Sequence, residues 1–343
     1  MIKSFIKNAV VPGVFARVPF PFLQRLTGVN PLVPYYHGVS DDQPPHIKHL
    51  YPFKTVKQFK QDLDVLLQRF EALDLRDMVF ALKGDRPLPR RTMLLQFDDG
   101  FSEIYDVVAP ILREKGVTAT FFLIGSCLDN LAMPYSNKVS VLLEQLRQQH
   151  PQAYDPQVAQ ILADRGIAES GDLGRILHSI EHSKPDVLDA VAEVVGCDFR
   201  EYLAQVKPYL SSEQVRDLLR MGFTIGAHSM DHPKYSLIPL DEQISQTLTS
   251  VKMIRDRFAL PYSAFTFPHG DDNLSDLFFS QIFAEHGVDV SFGNIGKRRE
   301  IHSRHFPRLV MEKGTAPADR VIGRYYAAAL YDLAITRHHF EQG

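Results

Sequence analysis

Two short stretches of this chain carry residues that could do chemistry together. The first is Gln96-Phe97-Asp98-Asp99-Gly100, where an apolar run ends in two adjacent acids and a glycine. Side chains at the C-terminal ends of buried parallel strands point into a site. Two carboxylates side by side repel unless a cation lies between them. Alone, Asp-Asp-Gly is more often a turn, or an Asp helix cap ahead of Ser102. The second stretch is His228-Ser229-Met230-Asp231-His232, again after an apolar run, Phe223–Ala227. If a helical turn follows that run, histidines at i and i+4 meet on one face. Neutral imidazoles at that spacing suit zinc or a similar ion, although a lone pair is more often two solvated histidines. The combination is stronger than either part. One carboxylate and two imidazoles leave positions open for water and substrate, and the spare carboxylate can take a proton. Spacing does not decide which of Asp98 and Asp99 plays which part.

These stretches closely resemble the first two motifs of the polysaccharide deacetylases (carbohydrate esterase family 4, the NodB-homology domain), Thr-Phe-Asp-Asp-Gly and His-Ser/Thr-x-x-His. The words around them, Gly116–Leu123 and Gly222–Gly226, fit the family as well. The resemblance covers roughly residues 30 to 312, interrupted between its two halves. It implies an α/β fold, a distorted (β/α)7 barrel. It implies Asp98 as the base, and Asp99, His228 and His232 as ligands of one divalent ion. Zinc is the first expectation, with cobalt, nickel or iron as alternatives. The implied reaction is removal of acetyl groups from an acetylated carbohydrate, such as an N-acetyl sugar of a polysaccharide or its precursor.

The departures from the family pattern matter. Its third motif, Arg-x-Pro-Tyr, reads here Thr266-Phe267-Pro268-His269-Gly270. The arginine that would steady the base is missing, while Pro268 and a backbone N–H near His269 remain for the oxyanion. The last motif, Leu-x-His, has no counterpart, although His302 and His305 are close by. Tyr36-His37-Gly38-Val39 offers another acid. It resembles the Tyr-His pair on the first strand of the poly-N-acetylglucosamine deacetylases, whose motif order is permuted and whose histidine is the acid. His37 is therefore the expected acid, against the plainer reading of a buried structural histidine. Arg308, in Phe306-Pro307-Arg308-Leu309, is a candidate for the missing arginine, although packing or surface exposure is its commoner fate. Two other functions stay open. One is a non-catalytic carbohydrate-binding protein on the same fold, and the other is a metal hydrolase acting on a non-sugar amide.

Elements must position these residues. Seven β-rich runs stand out: Val33–His37, Thr92–Phe97, Thr118–Ile124, Phe223–His228, Ala264–Phe267, Val288–Phe292 and Phe306–Val310. Most are apolar on both faces, as strands of a buried parallel sheet are. Helical spacing marks Phe53–Phe70, Glu103–Lys115 and Asp241–Phe258, and Ser211-x-x-Gln214 reads as a capping box. Strands alternating with helices suggest a barrel or an open wound sheet. From Cys127 to Leu210 no strand is expected. Three apolar stripes there, on Val139–Leu146, Leu173–Ile180 and Val187–Val195, predict a helical insertion. The expected organisation is an arm over 1–30, a barrel over 31–126 and 211–312, the insertion over 127–210, and a C-terminal helix over 313–343.

Bulk properties exclude several classes. The chain has 343 residues, 45% hydrophobic and 23% charged, the balance of a soluble globular enzyme. A net charge of −3 gives no basic footprint for nucleic acid. Cys127 and Cys197 make no disulfide framework. No apolar run of transmembrane length occurs. Residues 1–28 are apolar with interspersed Lys3, Lys7 and Arg17, but prolines 12, 19 and 21 interrupt them. The segment reads poorly as a secretory signal, so a cytoplasmic location is expected. A short helix on the protein's own body is the plain expectation for it, and a weak peripheral membrane contact the sharper one.

Overall fold

The computed structural model describes residues 18, 20–84, 86–149, 156–167, 173–180, 184–294, 302–312 and 314–340. The expectation for residues 1–28 thus falls largely outside the described residues. Its last part is the helix Phe20–Thr27, whose Phe20 stacks on Phe70 and Tyr326 of the protein's own body.

The described residues form ten strands: β1 Pro34–Tyr36, β2 Glu71–Ala72, β3 Thr92–Met93, β4 Gln96–Phe97, β5 Thr120–Leu123, β6 Thr224–Ala227, β7 Ala264–Thr266, β8 Val290–Gly293, β9 His305–Pro307 and β10 Leu309–Val310. Eight form one parallel sheet in the order β10-β1-β4-β5-β6-β7-β8-β9. All seven apolar runs contribute to these strands. Two of them divide, Thr92–Phe97 into β3 and β4, and Phe306–Val310 into β9 and β10. The second division matters more. β9 pairs with β8, β10 pairs with β1, and only Arg308 separates the two. One bent segment thus joins the two edges of the sheet, and the result is a distorted barrel of seven chain segments. The small β2–β3 sheet was not anticipated, because two-residue strands carry no periodicity.

Alternation along the strands explains the packing. Val33, Leu94, Phe122, Ala264, Val290, Phe292 and Phe306 pack together in one buried cluster. Their neighbours Phe97, Phe121, Ile225 and Phe265 belong to another, beneath the helices. Those helices include Val56–Leu67, which opens on a Thr55–Gln58 capping box, and Ser212–Arg220, which opens on the expected Ser211–Gln214 box. Leu240–Phe258 matches the third helical stretch.

Between β5 and β6 the chain forms the helices Tyr135–Gln149, Pro156–Asp164, Leu173–Ser179, Pro185–Val194 and Phe199–Val206. The three apolar stripes read from sequence meet in a separate core that includes Leu142, Leu177 and Val191. None of the described residues from 127 to 210 lies in a strand. Among the described residues, no helix is long and apolar enough to cross a membrane.

Candidate active site

Asp98 and Asp99 follow β4 directly. Strand alternation would send neighbouring side chains to opposite faces. Asp99 instead takes a left-handed conformation, φ 69°, and both carboxylates reach the same cleft. Gly100 is left-handed too, φ 72°, and a Cβ there would lie 2.9 Å from Leu123 Cδ2. Only glycine fits this turn without displacement.

Asp99 Oδ1 stands 3.4 Å from His228 Nε2 and 3.3 Å from His232 Nε2. The ligand atoms offered by the three residues lie within 4.8 Å of one another. The histidines do not meet on a helical turn, as the i, i+4 spacing suggested. Ser229 and His232 are both left-handed, φ 62° and 59°, and the Ser229 hydroxyl accepts the His232 N–H at 3.0 Å. This loop brings the two rings to 5.0 Å. His228 Nδ1 faces the Thr266 hydroxyl at 2.7 Å and the Thr266 carbonyl at 3.0 Å, which turns its Nε2 toward Asp99. Asp99 Oδ1 is buried, and the two imidazole nitrogens are the polar groups that face it. Burial opposes charge on Asp99, yet the two imidazoles outweigh it and hold the carboxyl well below the usual carboxylate range. Burial pushes His232 below the ordinary imidazole value. A charged oxygen facing two imidazole nitrogens fits a divalent cation, and the donor set suits zinc-like ions.

Asp98 is paired differently. Nη1 of Arg308 donates to both of its oxygens, at 2.8 and 2.7 Å, and the Thr266 hydroxyl lies 3.5 Å from Oδ1. Arg308 sits in the bend between β9 and β10, is only 4% exposed, and rests over the Tyr35 ring at 4.0 Å. It is not the surface arginine that residue type favours, because its position where the sheet edges join turns it inward. Arg308, the candidate for the arginine absent from the third motif, thus stands paired with Asp98.

His37 lies just beyond β1. Its Nδ1 is 2.6 Å from Glu312 Oε2, and Glu312 Oε1 accepts the N–H groups of His37 and Gly38 at 3.0 and 3.2 Å. Burial opposes a proton on His37. The charge and hydrogen bond of Glu312, helped by Asp99 and Asp98, override it and raise the group to about 9. Tyr51 packs against His37 with ring centroids 4.3 Å apart and donates its hydroxyl to Asp99 Oδ2 at 2.9 Å.

His37, Tyr51, Asp98, Asp99, His228, His232 and Arg308 line one cleft of about 340 Å³. His269 lines it as well, with its ring 4.6 Å from that of His232, while Pro268 lies between the lining residues Phe267 and His269. Burial, aided by His232, pushes His269 down to about 3, so it enters the site as a neutral ring. Ser136 and His178 line the same cleft, placing part of the helical stretch 127–210 at its wall. A larger depression, about 630 Å³ and including Lys83, Arg86, Asp289 and Arg304, contains none of these residues.

His302 and His305, near the missing C-terminal motif, do not line the cleft. His305 is fully buried between Ser291 Oγ and Asp271 Oδ2, at 2.7 and 3.2 Å. His302 stacks on Phe279 and faces Asp276. Glu312 and Tyr51 were not anticipated. Glu312 follows a strand end as Asp98 does, so the same rule applied beyond Val310 would have found it. Tyr51 lies in a loop with no pattern to mark it.

A family description of polysaccharide deacetylases matches residues 85–291, more than half of the chain. His37, Arg308 and Glu312 lie outside that stretch. No curated protein sequence matches the chain. Among solved structures, IcaB from Ammonifex degensii is 15% identical with a TM-score of 0.51, covering 87% of this chain and 96% of its own. The Streptococcus pyogenes deacetylase PplD in complex with acetate is 14% identical with a TM-score of 0.50, covering 82% and 91%. A polysaccharide deacetylase from Bacillus cereus is 12% identical with a TM-score of 0.50, covering 87% and 68%. At these identities the structures establish a shared fold, and the family match does the rest: this chain belongs to the polysaccharide deacetylase family.

Proposed function

We propose that the chain is a divalent-metal-dependent deacetylase that hydrolyses acetyl groups on a carbohydrate, with an N-acetyl sugar as the preferred substrate. One observation carries this reading. A carboxylate and two imidazoles able to hold a cation, an acid paired with a buried arginine, and a histidine paired with a buried glutamate meet at one cleft. Asp99, His228 and His232 would hold the ion, zinc first, with cobalt, nickel or iron able to replace it. Once bound, the ion supplies Lewis-acid chemistry, polarising the acetyl carbonyl and making water a better nucleophile.

The chain's own residues then divide the proton work. Asp98, oriented by Arg308, takes the proton of the attacking water. His37, held protonated by Glu312, gives a proton to the leaving amine, because an amide nitrogen leaves poorly as an anion. Water adds to the carbonyl carbon, the carbon–nitrogen bond breaks, and acetate and a free amine result. The backbone beside His269, together with Pro268, forms the wall against which the oxyanion develops.

A non-catalytic binding protein drew its support from the missing third-motif arginine. The Arg308–Asp98 pair supplies a guanidinium beside that acid and favours the catalytic reading. A hydrolase for non-sugar amides remains the second reading, and a substrate panel separates it. The test is acetate release from N-acetylated chitooligosaccharides and acetylated xylan, by protein stripped with chelator and then reloaded with each ion. Release restored by metal on a sugar substrate is expected. Metal-independent release, or none with any ion, would overturn the proposal.

A further inference from the structure

Tyr51 has contacts that the reaction just described does not use. Its hydroxyl donates to Asp99 Oδ2 at 2.9 Å, while Asp99 Oδ1 is the oxygen facing both imidazoles. The two oxygens are thus divided, one toward the ion and one toward the phenol. Such outer partners fix the angle and basicity of a ligating carboxylate.

The loop that carries Tyr51 is fastened to the helical stretch between β5 and β6. Glu144 binds Lys48 Nζ at 2.9 Å and His49 Nε2 at 2.8 Å. The His49 N–H donates to Ser140 Oγ at 3.1 Å, and that hydroxyl donates to the Pro45 carbonyl at 2.6 Å. Asn137 Nδ2 donates to the His46 carbonyl at 2.9 Å. All three helix residues belong to Tyr135–Gln149. With a further contact from Arg147 Nη1 to His49 Nδ1 at 3.1 Å, residues 45–49 are held to one helix immediately before Tyr51.

We propose that Tyr51 is a positioning residue that fixes Asp99 as a cation ligand, and that the helix Tyr135–Gln149 sets Tyr51 in place through its grip on the preceding loop. The helical stretch is then part of the metal site at one remove, besides being a wall of the cleft. This inference rests on the metal site proposed above.

The experiment measures the affinity of the full chain for zinc and cobalt by competition with a chromophoric chelator, with the visible spectrum of the cobalt form as a second signature. Tyr51→Phe keeps the ring against His37 and deletes only the hydroxyl. It is expected to weaken binding about 10–100-fold and to change the cobalt spectrum. Glu144→Ala is expected to weaken binding several-fold. The double variant should bind no more weakly than Tyr51→Phe alone, because both changes act through one contact. Wild-type affinity within twofold for Tyr51→Phe would overturn the positioning role while leaving the metal site intact. Additive losses in the double variant would overturn the part given to the helix. A wild type that binds neither ion would overturn the metal site and this inference together.

Discussion

Replacing Glu312 with glutamine tests the acid assignment most directly. Glutamine keeps a carbonyl oxygen for the His37 and Gly38 N–H groups but sets a neutral amide NH2 in place of the charged oxygen facing His37 Nδ1. Imidazole ordinarily titrates at 6.5, and His37 is raised to about 9. That rise of about 2.5 units corresponds to a few kcal/mol, somewhat reduced by screening because the side chain is 20% exposed. Burial is the strongest influence on His37 and opposes its proton. Without the Glu312 charge, His37 should fall to 6.5 or lower. On the proposed mechanism the reactive form is the protonated one, so activity is lost as pH rises through this value. The alkaline limb of kcat/KM should therefore move down by about 2 units or more. For an N-acetyl substrate that is a loss of about tenfold at pH 7.5, growing to the order of a hundredfold at pH 8.5. Stability follows the same sign. A folded value raised above the unfolded one stabilises fully below pH 6.5, and the benefit fades as pH rises through about 9. Wild type should thus exceed Glu312→Gln in urea stability at pH 6 and converge with it at pH 10. Imidazole NMR of the metal-free protein reads the titration itself. A His37 still titrating near 9 in Glu312→Gln, or an unmoved alkaline limb, would refute the reasoning.

Asp98→Asn should keep the ion yet lose on the order of 10²–10⁴ in rate, whereas Asp99→Asn should lose both, by elemental analysis and acetate release. The reverse pattern would exchange their roles. His228→Ala should lose the ion, since two remaining ligands hold weakly, and full occupancy in that variant would remove His228 from the set. Arg308→Gln takes from buried Asp98 the guanidinium that donates to both its oxygens and should cost about 3–5 kcal/mol in urea unfolding of the metal-free protein. A cost under about 1 kcal/mol would mean that the pair contributes little.

Much of the site was legible because its residues stand where apolar runs end. Asp98, Asp99, His228 and His37 each follow a strand that the apolar pattern marks. The pattern said little about how neighbours turn toward one another. The i, i+4 spacing of His228 and His232 suggested a helical turn, yet left-handed Ser229 and His232 do the work. Arg308 was visible only as a residue type, because its inward direction depends on pairing with both β8 and β1, far apart in sequence. Tyr51 was illegible for a similar reason. What holds its loop is a helix some ninety residues downstream, joined through Ser140 and Glu144. The family match likewise stops before Arg308 and Glu312.

The bend at Arg308 couples mechanical closure to the proposed chemistry. The Arg308 N–H donates to the Gly293 carbonyl and the Leu309 N–H to the Val33 carbonyl, so adjacent amides clasp opposite rims of the ring. The guanidinium between them reaches Asp98, and Glu312 follows within four residues. If this clasp slips, Asp98 loses its counterion and His37 loses its proton-holding partner in the same event. Most of the hydrophobic core could stay assembled meanwhile, since Phe121, Ile225 and Phe265 lie on strands across the ring from it. Such a molecule would be folded by most probes and silent as a catalyst. Gentle denaturation should therefore extinguish activity before it melts the helices, with exchange of the Arg308 and Leu309 amide hydrogens keeping time with the loss.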